Sequence, residues 1–358
     1  MASGKQIDIP ELLRLCRVAD NATSVSDVHI VENARPWVRV NGRVQCVDDA
    51  PPFGDAAIKE FYEQNLSPVL LRALATDNYV TSSVHSPIFG DVRIHIFRKT
   101  DGLDLVIRLL NGNVPSIQRL RLPKIIQTFV DTANGLYLFS GPTGSGKSTA
   151  LAAVINEINR KYDYTIFTVE DPIEYKYRSD RSLIRQLAVG QDVQDYQHAI
   201  RSFLRADPDV LLIGEMRDSE TMEAALRAAQ TGHLVFSTVH DNGAAETCQR
   251  VCGSFSGDRQ EQIKMTFASV VRGVVSLKLL TTADEKGRVP VCEIMIMNDA
   301  IRNQIRKGEF QQIRSSIQQG RDYGMMTLED DLNRLLSEGI ITREAAIEAS
   351  NIPKEIKA

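Results

Sequence analysis

One segment constrains the fold of this chain more than any other. Residues 141–148 read Gly-Pro-Thr-Gly-Ser-Gly-Lys-Ser, and they match the pattern G-x-x-x-x-G-K-[ST] in full. An apolar run at 136–139 precedes the pattern, and residues 148–162 after it carry apolar side chains at helical spacing. This order of strand, glycine loop and helix is the context in which the pattern forms a phosphate-binding loop. The sequence therefore predicts an α/β domain built around a phosphate site.

The residue types of this loop suit a nucleotide with a bound magnesium ion. Glycines let backbone N–H groups turn inward around phosphates, and the following helix N-terminus adds partial positive charge. We expect Lys147 to reach the β- and γ-phosphates and Ser148 to hold Mg²⁺. The chain has no Asn-Lys-x-Asp motif for guanine, which favours ATP. The predicted nucleotide-binding residues are Gly141, Pro142, Thr143, Gly144, Ser145, Gly146, Lys147, Ser148 and Thr149.

Length and composition limit the classes of protein to which this chain can belong. The length of 358 residues predicts two domains, and 42 basic against 46 acidic residues give a net charge of −4. No overall basic field is present to hold a nucleic-acid backbone, so direct nucleic-acid binding is not expected. We find no run of the ~20 apolar residues that a transmembrane helix needs, and no signal peptide. The odd count of five cysteines indicates free thiols in a reducing compartment.

The first part of the chain reads as a small α+β domain. Helices are predicted at 7–19 and 56–74, and strands around an Asn41-Gly42 turn and at 92–96 and 103–110. A cluster of turn residues at 111–115 marks a break. We therefore predict an N-terminal domain over residues 1–112, a linker over 113–117 and a second domain over 118–358.

The second domain alternates apolar strands with helices. Strands are predicted at 136–139, 165–169, 210–213 and 234–238. Strands that are apolar on both faces and separated by helices indicate a parallel sheet covered on both sides. From about residue 260 the chain is predicted to be mostly helical, with one strand at 289–297.

Two carboxylate clusters follow predicted strands of this sheet. Glu170 and Glu174 come after the strand at 165–169, which Pro172 would stop. Glu215 follows the strand at 210–213, with Gly214 where a strand-terminal Asp is usual in a Walker B segment. Because ligands of open α/β sheets bind at the carboxyl ends of strands, these acids are candidates for the site. A solvated acidic turn remains the alternative for the first cluster.

Two histidines flank the strand at 234–238. His233 precedes this strand and His240 follows it, so the two lie at opposite ends. His240 is the favoured candidate because it shares the carboxyl end with the acids. A structural role stays open for both, and neither has a second ligand at metal-binding spacing.

Taken in order, these clusters resemble the secretion-motor ATPase superfamily, which drives type II secretion, type IV secretion and type IV pili. Residues 141–148 resemble its Walker A, 168–174 its Asp box, 207–218 its atypical Walker B and 231–240 its His box. Residues 26–30 and 39–42 are similar to the PAS-like N-terminal domain of the pilus retraction branch, the PilT type. Segments at 293–306 and 324–328 also fit that branch, and no C-x-x-C pair for the zinc insertion of extension ATPases is present.

The resemblance implies a RecA-like ATPase core, a PAS-like N-terminal domain and a helical C-terminal region, assembled as a homohexamer. It implies that Glu215 polarises the attacking water, that Ser148 and Glu170 serve Mg²⁺, and that His240 belongs to the catalytic set. Arg93 and Arg108 match arginines that close onto the γ-phosphate, with a solvated strand face as their alternative. Arg302 and Arg306 match a segment expected to meet a subunit or a platform partner.

The family role implied is an ATP-driven motor for pilus retraction. Its expected partner is an inner-membrane platform protein, and its expected location is cytoplasmic, at the inner face of the inner membrane. A secretion or conjugation ATPase is the alternative role, and a RecA-like DNA translocase a more remote one. Several motif positions depart from the family pattern, among them Asp241, Gln230 and Asp101. A small-molecule kinase would leave the first domain unexplained.

Overall fold

A computed structural model describes residues 8–18, 25–40, 43–100, 102–110, 114–285 and 287–357. The predicted Asn41-Gly42 turn, the ends of the first predicted helix and positions 111–113 lie outside the described residues. The chain divides into two compact units. Unit 1 comprises Met1–Asn113, Asp171–Lys176 and Ala188–Asp192, and unit 2 the remainder. The domain and linker limits set from the sequence stay a prediction.

Unit 1 is a layer of helices on an antiparallel sheet. Its strand order is β3-β2-β1-β6-β5-β4. The described elements are α1 (Ile9–Val18), β1 (Val25–Val31), β2 (Trp37–Val40), β3 (Arg43–Cys46), α2 (Asp55–Asn65), α3 (Pro68–Asp77), β4 (Tyr79–Ser86), β5 (Gly90–Lys99) and β6 (Gly102–Leu109).

The sheet of unit 1 has one apolar face that is buried and an opposite face that is more exposed and mostly polar. Alternate residues of a strand point to opposite faces, so Val28, Ile94 and Ile107 enter one apolar core. The apolar side of α1, predicted from its helical spacing, joins that core through Leu12 and Leu13. The opposite face carries the charged and polar side chains described below.

Two features of unit 1 differ from the sequence prediction. The single helix predicted at 56–74 is two helices, because Ser67 caps a new helix and Pro68 begins it. The Ser67 hydroxyl accepts a hydrogen bond from Leu70 N at 3.4 Å, and a proline is favoured at a first helical position. Strand β4, at the edge of the sheet, was not predicted.

Unit 2 is an α/β structure with a seven-stranded sheet in the order β13-β12-β7-β11-β10-β8-β9. Its strands are β7 (Gly135–Ser140), β8 (Thr165–Glu170), β9 (Leu183–Ala188), β10 (Val210–Ile213), β11 (Leu234–Val239), β12 (Val271–Thr281) and β13 (Arg288–Ile296). Its helices are α4 (Lys147–Lys161), α5 (Tyr196–Phe203), α6 (Ser219–Gln230), α7 (Ala244–Gly253), α8 (Asp258–Val270), α9 (Asp299–Lys307), α10 (Ile313–Gln319), α11 (Leu328–Ser337) and α12 (Arg343–Ala349). Short 3-10 helices lie at Lys124–Asp131, Phe310–Gln312, Arg321–Tyr323 and Pro353–Glu355.

The predicted parallel sheet is confirmed. Strands β7, β11, β10 and β8 pair in parallel, and every residue of β7, β10 and β11 is buried. Both faces of these strands are covered by other parts of the protein, so neither face needs polar side chains. This explains the continuous apolar runs in the sequence. Their carboxyl ends lie on one edge of the sheet, and we call this edge the carboxyl edge.

The prediction of one strand in the C-terminal third was wrong. Strand β12 lies between β7, with which it is parallel, and β13, with which it is antiparallel. Helix α8 passes directly into β12 between Val270 and Val271, and Arg272 and Gly273 follow within the strand. A short apolar run such as the one after Gly273 does not separate helix from strand by pattern alone.

A buried carboxylate fixes the C-terminal segment of unit 2. Glu329 on α11 accepts hydrogen bonds from Ser350 Oγ, Asn351 N and Ile352 N at 3.0–3.1 Å. Its second oxygen accepts one from Arg314 Nη2 at 3.0 Å. A buried carboxylate needs such partners to offset its lost hydration. Among the described residues, none of the helices combines the length and the apolar character needed to cross a membrane.

We expect Glu329→Gln to lower the free energy of unfolding by about 2 kcal/mol, because an amide cannot accept hydrogen bonds through both of its ends. Denaturant titration followed by circular dichroism measures the loss. Glu348→Gln, at an exposed position of α12, is the matched control and is expected to change stability by less than about 0.5 kcal/mol. Equal effects of the two substitutions would contradict this account of Glu329.

Candidate functional site

The phosphate-loop sequence forms the turn between β7 and α4. Three of its glycines have positive φ: Gly141 at 138°, Gly144 at 81° and Gly146 at 91°. At Gly141 a Cβ atom would lie 2.3 Å from the carbonyl oxygen of Leu277 and 2.7 Å from Ser145 Oγ. Only glycine fits that position. The loop therefore keeps its backbone close to the sheet and presents the first turn of α4 at the carboxyl edge.

The ammonium group of Lys147 is held by its own loop. Lys147 Nζ donates hydrogen bonds to the carbonyl oxygens of Gly141 at 2.7 Å and Pro142 at 2.9 Å. The residue is 7% exposed. A buried ammonium at a helix N-terminus gives the loop a positive centre that phosphate oxygens can approach.

Ser148 and Thr149 follow Lys147 in the first turn of α4, and both are partly exposed. Ser145 Oγ is buried and has no hydrogen-bond partner in the described part of the chain. Hydroxyl and carboxylate oxygens are ligands that Mg²⁺ accepts. No group of three or more His, Cys, Asp or Glu side chains arranged for a metal exists among the described residues.

Glu170 lies at the end of β8 and is buried. Its Oε1 atom accepts hydrogen bonds from Thr168 Oγ1 at 2.8 Å and from Gln186 Nε2 at 3.2 Å. Thr168 lies two residues earlier on the same strand, so the two side chains share one face of the sheet.

The structure explains the glycine at position 214. A Cβ atom there would lie 3.2 Å from Glu170 Cα and 3.2 Å from the carbonyl oxygen of Val169. Gly214 N donates a hydrogen bond to that same oxygen at 2.7 Å. An aspartate at 214 would crowd the end of β8, and the acid of this segment therefore stands one residue later, at Glu215.

Glu215 is buried, and the side chains of Arg217 and His240 lie beside it. Arg217 Nη2 lies 2.5 Å from Glu215 Oε1, and His240 Nε2 lies 3.3 Å from Oε2. Glu215 Oε2 makes no hydrogen bond within the described residues, so its contact with His240 is close but not aligned for one. The backbone on either side is tied to β11, since Met216 N donates to Thr238 O at 2.9 Å. The structure thus brings Glu215 and His240 together.

His233 lies at the opposite end of β11 from His240. Its Nδ1 atom is 2.9 Å from the carbonyl oxygen of Ala228 and 3.0 Å from Thr231 Oγ1. These contacts join the histidine to the end of α6, and not to the acids of the carboxyl edge. The geometry supports the structural interpretation of His233.

Unit 1 carries a row of charges across the exposed face of its sheet. The strand registers align Arg39, Asp27, Arg108 and Arg93 on β2, β1, β6 and β5. Asp27 Oδ1 accepts a hydrogen bond from Arg108 Nε at 2.8 Å, and Asp27 Oδ2 lies 3.7 Å from Arg39 Nε. Burial raises the pKa of Asp27, but hydrogen bonds from Arg108 and Ser26 outweigh burial and lower that pKa overall. Asp27 therefore stays ionised and compensates two guanidinium groups.

Arg93 and Arg108 are directly opposite each other in this row. Like charges in such a pair repel, so each arginine needs a counter-charge. Arg93 Nη2 lies 3.4 Å from Glu174 Oε1, while Arg93 Nε is buried without a hydrogen bond among the described residues. The three side chains line a cleft of about 170 Å³ within unit 1. The structure thus brings Arg93, Arg108 and Glu174 together.

Arg302 and Arg306 lie on α9 and differ in their surroundings. Arg302 Nε donates to the carbonyl oxygen of Ala268 at 3.3 Å, and its Nη1 contacts Asp299. Arg306 is exposed in the last turn of the helix. Arg306 is therefore the more accessible of the two to a partner.

The cysteines take no part in this site. All five are free, and Cys16, Cys248, Cys252 and Cys292 are buried. Burial raises the pKa of Cys16 to about 11 and that of Cys252 to about 12. A thiol with so high a pKa is a poor nucleophile.

Sequence reasoning did not assign Gln186, Arg217 or Asp27 to the site. Arg217 and Asp27 stand inside motifs that were noted, but their contacts depend on which strands pair. Gln186 carries no local signal, because only the position of β9 next to β8 brings it to Glu170.

Comparisons with known proteins identify the family of this chain. The family "Type II/IV secretion system protein" matches residues 90–347. A "Twitching motility protein" of Neisseria gonorrhoeae is 37% identical over 346 residues, which cover 94% of this chain and 89% of the relative. A "Type IV pilus retractation ATPase PilT" of Pseudomonas aeruginosa is 36% identical over 352 residues, which cover 97% and 99%.

A solved structure, that of the pilus retraction motor PilT with bound ADP, matches with a TM-score of 0.89 at 36% identity. The match covers 98% of this chain and 99% of the other. The RecA-like fold and the resemblance inferred from the motifs are therefore confirmed. The chain belongs to the type II/IV secretion system protein family and is one of its nucleotide-binding ATPases.

Proposed function

We propose that this chain hydrolyses ATP to power the retraction of a type IV pilus. One observation carries the proposal: the phosphate loop, Glu170 and Glu215 share the carboxyl edge of one parallel sheet. The pilus role is supported by relatives named for twitching motility and pilus retraction, which the chain matches over nearly its whole length.

Lys147 supplies the positive charge for the phosphates in this proposal. A γ-phosphate oxygen replaces the two loop carbonyls as a partner of its ammonium group. Ser148 and Glu170 would hold Mg²⁺ through a hydroxyl and a carboxylate. The ion, when bound, neutralises phosphate charge as the terminal bond breaks.

Glu215 orients the attacking water. Its burial keeps the carboxylate out of bulk solvent, and one oxygen is engaged by Arg217 while the other lies close to His240. A water beside the Glu215 and His240 pair would have an acceptor and a ring nitrogen within reach. The negative charge that develops on the phosphate needs hydrogen-bond donors beside it.

Arg93 and Arg108 supply those donors. A guanidinium group presents a planar fork that matches phosphate oxygens. Asp27 and Glu174 hold the two arginines until a nucleotide is bound, and the incoming phosphate competes with these carboxylates. The movement of the arginines toward the nucleotide would then couple ATP binding to movement of the protein.

The proposed assembly is a homohexamer that acts at the cytoplasmic face of the inner membrane. Its proposed partner is a membrane platform protein of the pilus machine. The exposed Arg306 on α9 is a candidate contact for a neighbouring subunit or for that partner. A secretion machine in place of a pilus is distinguished by the motility test below.

Lys147→Ala is expected to abolish nucleotide turnover, because the phosphates lose their main cation. Glu215→Gln is expected to retain ATP but to slow phosphate release by about a hundredfold or more, because the water loses its base. A coupled phosphate assay and binding of a fluorescent ATP analogue measure the two effects. Glu220→Gln, exposed on α6, serves as the control. Turnover at the wild-type rate in Glu215→Gln would refute its assignment.

Arg93→Ala and Arg108→Ala are each expected to lower kcat by up to about a thousandfold, with little change in ADP affinity. Arg39→Ala is the matched control, because Arg39 lies in the same row and also faces Asp27. We expect Arg39→Ala to retain most of the activity. Equal kcat values for the three variants would show that the row acts only as a surface feature.

Arg306→Ala is expected to leave ATP hydrolysis intact and to stop twitching motility in the bacterium that encodes the protein. The same result is expected for Arg302→Ala. Arg343→Ala, at an exposed position of α12, is the control. A parallel loss of hydrolysis and motility would place these arginines in the ATP site instead. Normal motility after deletion of the gene would overturn the retraction role.

A further inference from the structure

We propose that Gln186 is a positioning residue that fixes the carboxylate of Glu170 for the Mg²⁺ ion of the bound nucleotide. The inference rests on the proposed role of Glu170 as a group that holds the ion. Gln186 donates a hydrogen bond to Glu170, and its effect on the ion is expected to pass through that carboxylate.

Two hydrogen-bond donors converge on one oxygen of the Glu170 carboxylate. Thr168 Oγ1 and Gln186 Nε2 both donate hydrogen bonds to Glu170 Oε1, at 2.8 and 3.2 Å. Two donors that approach one oxygen from different strands restrict the rotamers open to the Glu170 side chain. The carboxylate therefore has a preferred orientation at the end of β8.

The orientation of the Gln186 amide follows from its two partners. Its Oε1 atom accepts a hydrogen bond from the backbone N of Tyr177 at 3.0 Å. An amide side chain has one accepting and one donating end. Since the backbone N–H must meet the accepting end, the donating end faces Glu170. The polarity of this contact is thus determined by the main chain.

Thr168 and Gln186 restrain the Glu170 carboxylate in different ways. Thr168 lies on β8 with Glu170 and moves with that strand. Gln186 lies on β9, so its hydrogen bond ties the carboxylate to a second strand. The bond to Tyr177 also ties it to the segment that connects β8 and β9. Partners of this kind orient metal-holding side chains, and their loss lowers metal affinity.

Gln186→Glu tests the proposal, because it keeps the shape of the side chain and replaces the donor with an acceptor. The measurement is the Mg²⁺ titration of protein saturated with a fluorescent ADP analogue. We expect the variant to need about tenfold more Mg²⁺. ADP binding in EDTA is expected to stay unchanged, since the phosphate loop is untouched. A role confined to folding would not separate these two readouts.

Gln197→Glu is the matched control. Gln197 Nε2 also donates to a glutamate, Glu220 Oε2 at 2.7 Å, but at an exposed site between α5 and α6. The same chemical change there is expected to leave the Mg²⁺ requirement unaltered. If Gln186→Glu fails to fold, Gln186→Met removes the same donor without adding charge and takes its place in every measurement.

Glu170→Gln separates this inference from the proposed function. If Glu170→Gln binds Mg²⁺ as the wild type does, the proposed role of Glu170 fails, and the inference with it. If Glu170→Gln is impaired and Gln186→Glu is not, only the positioning role is overturned. In the double variant we expect no further loss beyond Glu170→Gln alone. Additive losses would show that Gln186 acts independently and would contradict the proposal.

Discussion

The parallel pairing of β7, β11, β10 and β8 is the constraint on which the site depends. These strands are buried, so their register is held by packing on both faces as well as by hydrogen bonds. Because they run in one direction, the phosphate loop, Glu170, Glu215 and His240 emerge at one edge. Gly214 allows β10 to lie close to the end of β8. The chemistry is therefore assembled by strand order rather than by proximity in the sequence.

Charge compensation is the second theme of the structure. Lys147 is held by loop carbonyls, Glu215 by Arg217, and Arg108 by Asp27. Lys147, Glu215 and Asp27 are the buried members of these contacts, and their partners offset the lost hydration of each charge. In the proposed reaction, phosphate oxygens or water exchange with some of these partners when a nucleotide binds.

The sequence predicted those features of the fold that a local residue pattern indicates. Apolar runs located the parallel strands, and the glycine loop located the phosphate site. Contacts that depend on strand neighbours were not predictable: Gln186 reaches Glu170 only because β9 lies beside β8. Strand β12 was missed because it follows α8 with no loop between them, and its short apolar run does not by itself separate strand from helix. The break at Ser67 and Pro68 carried a recognisable cap signal, which the longer apolar pattern obscured.

The proposed function requires that ATP is hydrolysed at the carboxyl edge of unit 2. The most direct measurement is a single-turnover experiment in which excess purified protein is mixed with radiolabelled ATP, with Mg²⁺ or with EDTA. We predict release of inorganic phosphate and formation of ADP in the presence of Mg²⁺, and bound, intact ATP in EDTA. Bound ATP that stays intact with Mg²⁺ present would show that this edge of the sheet does not hydrolyse ATP.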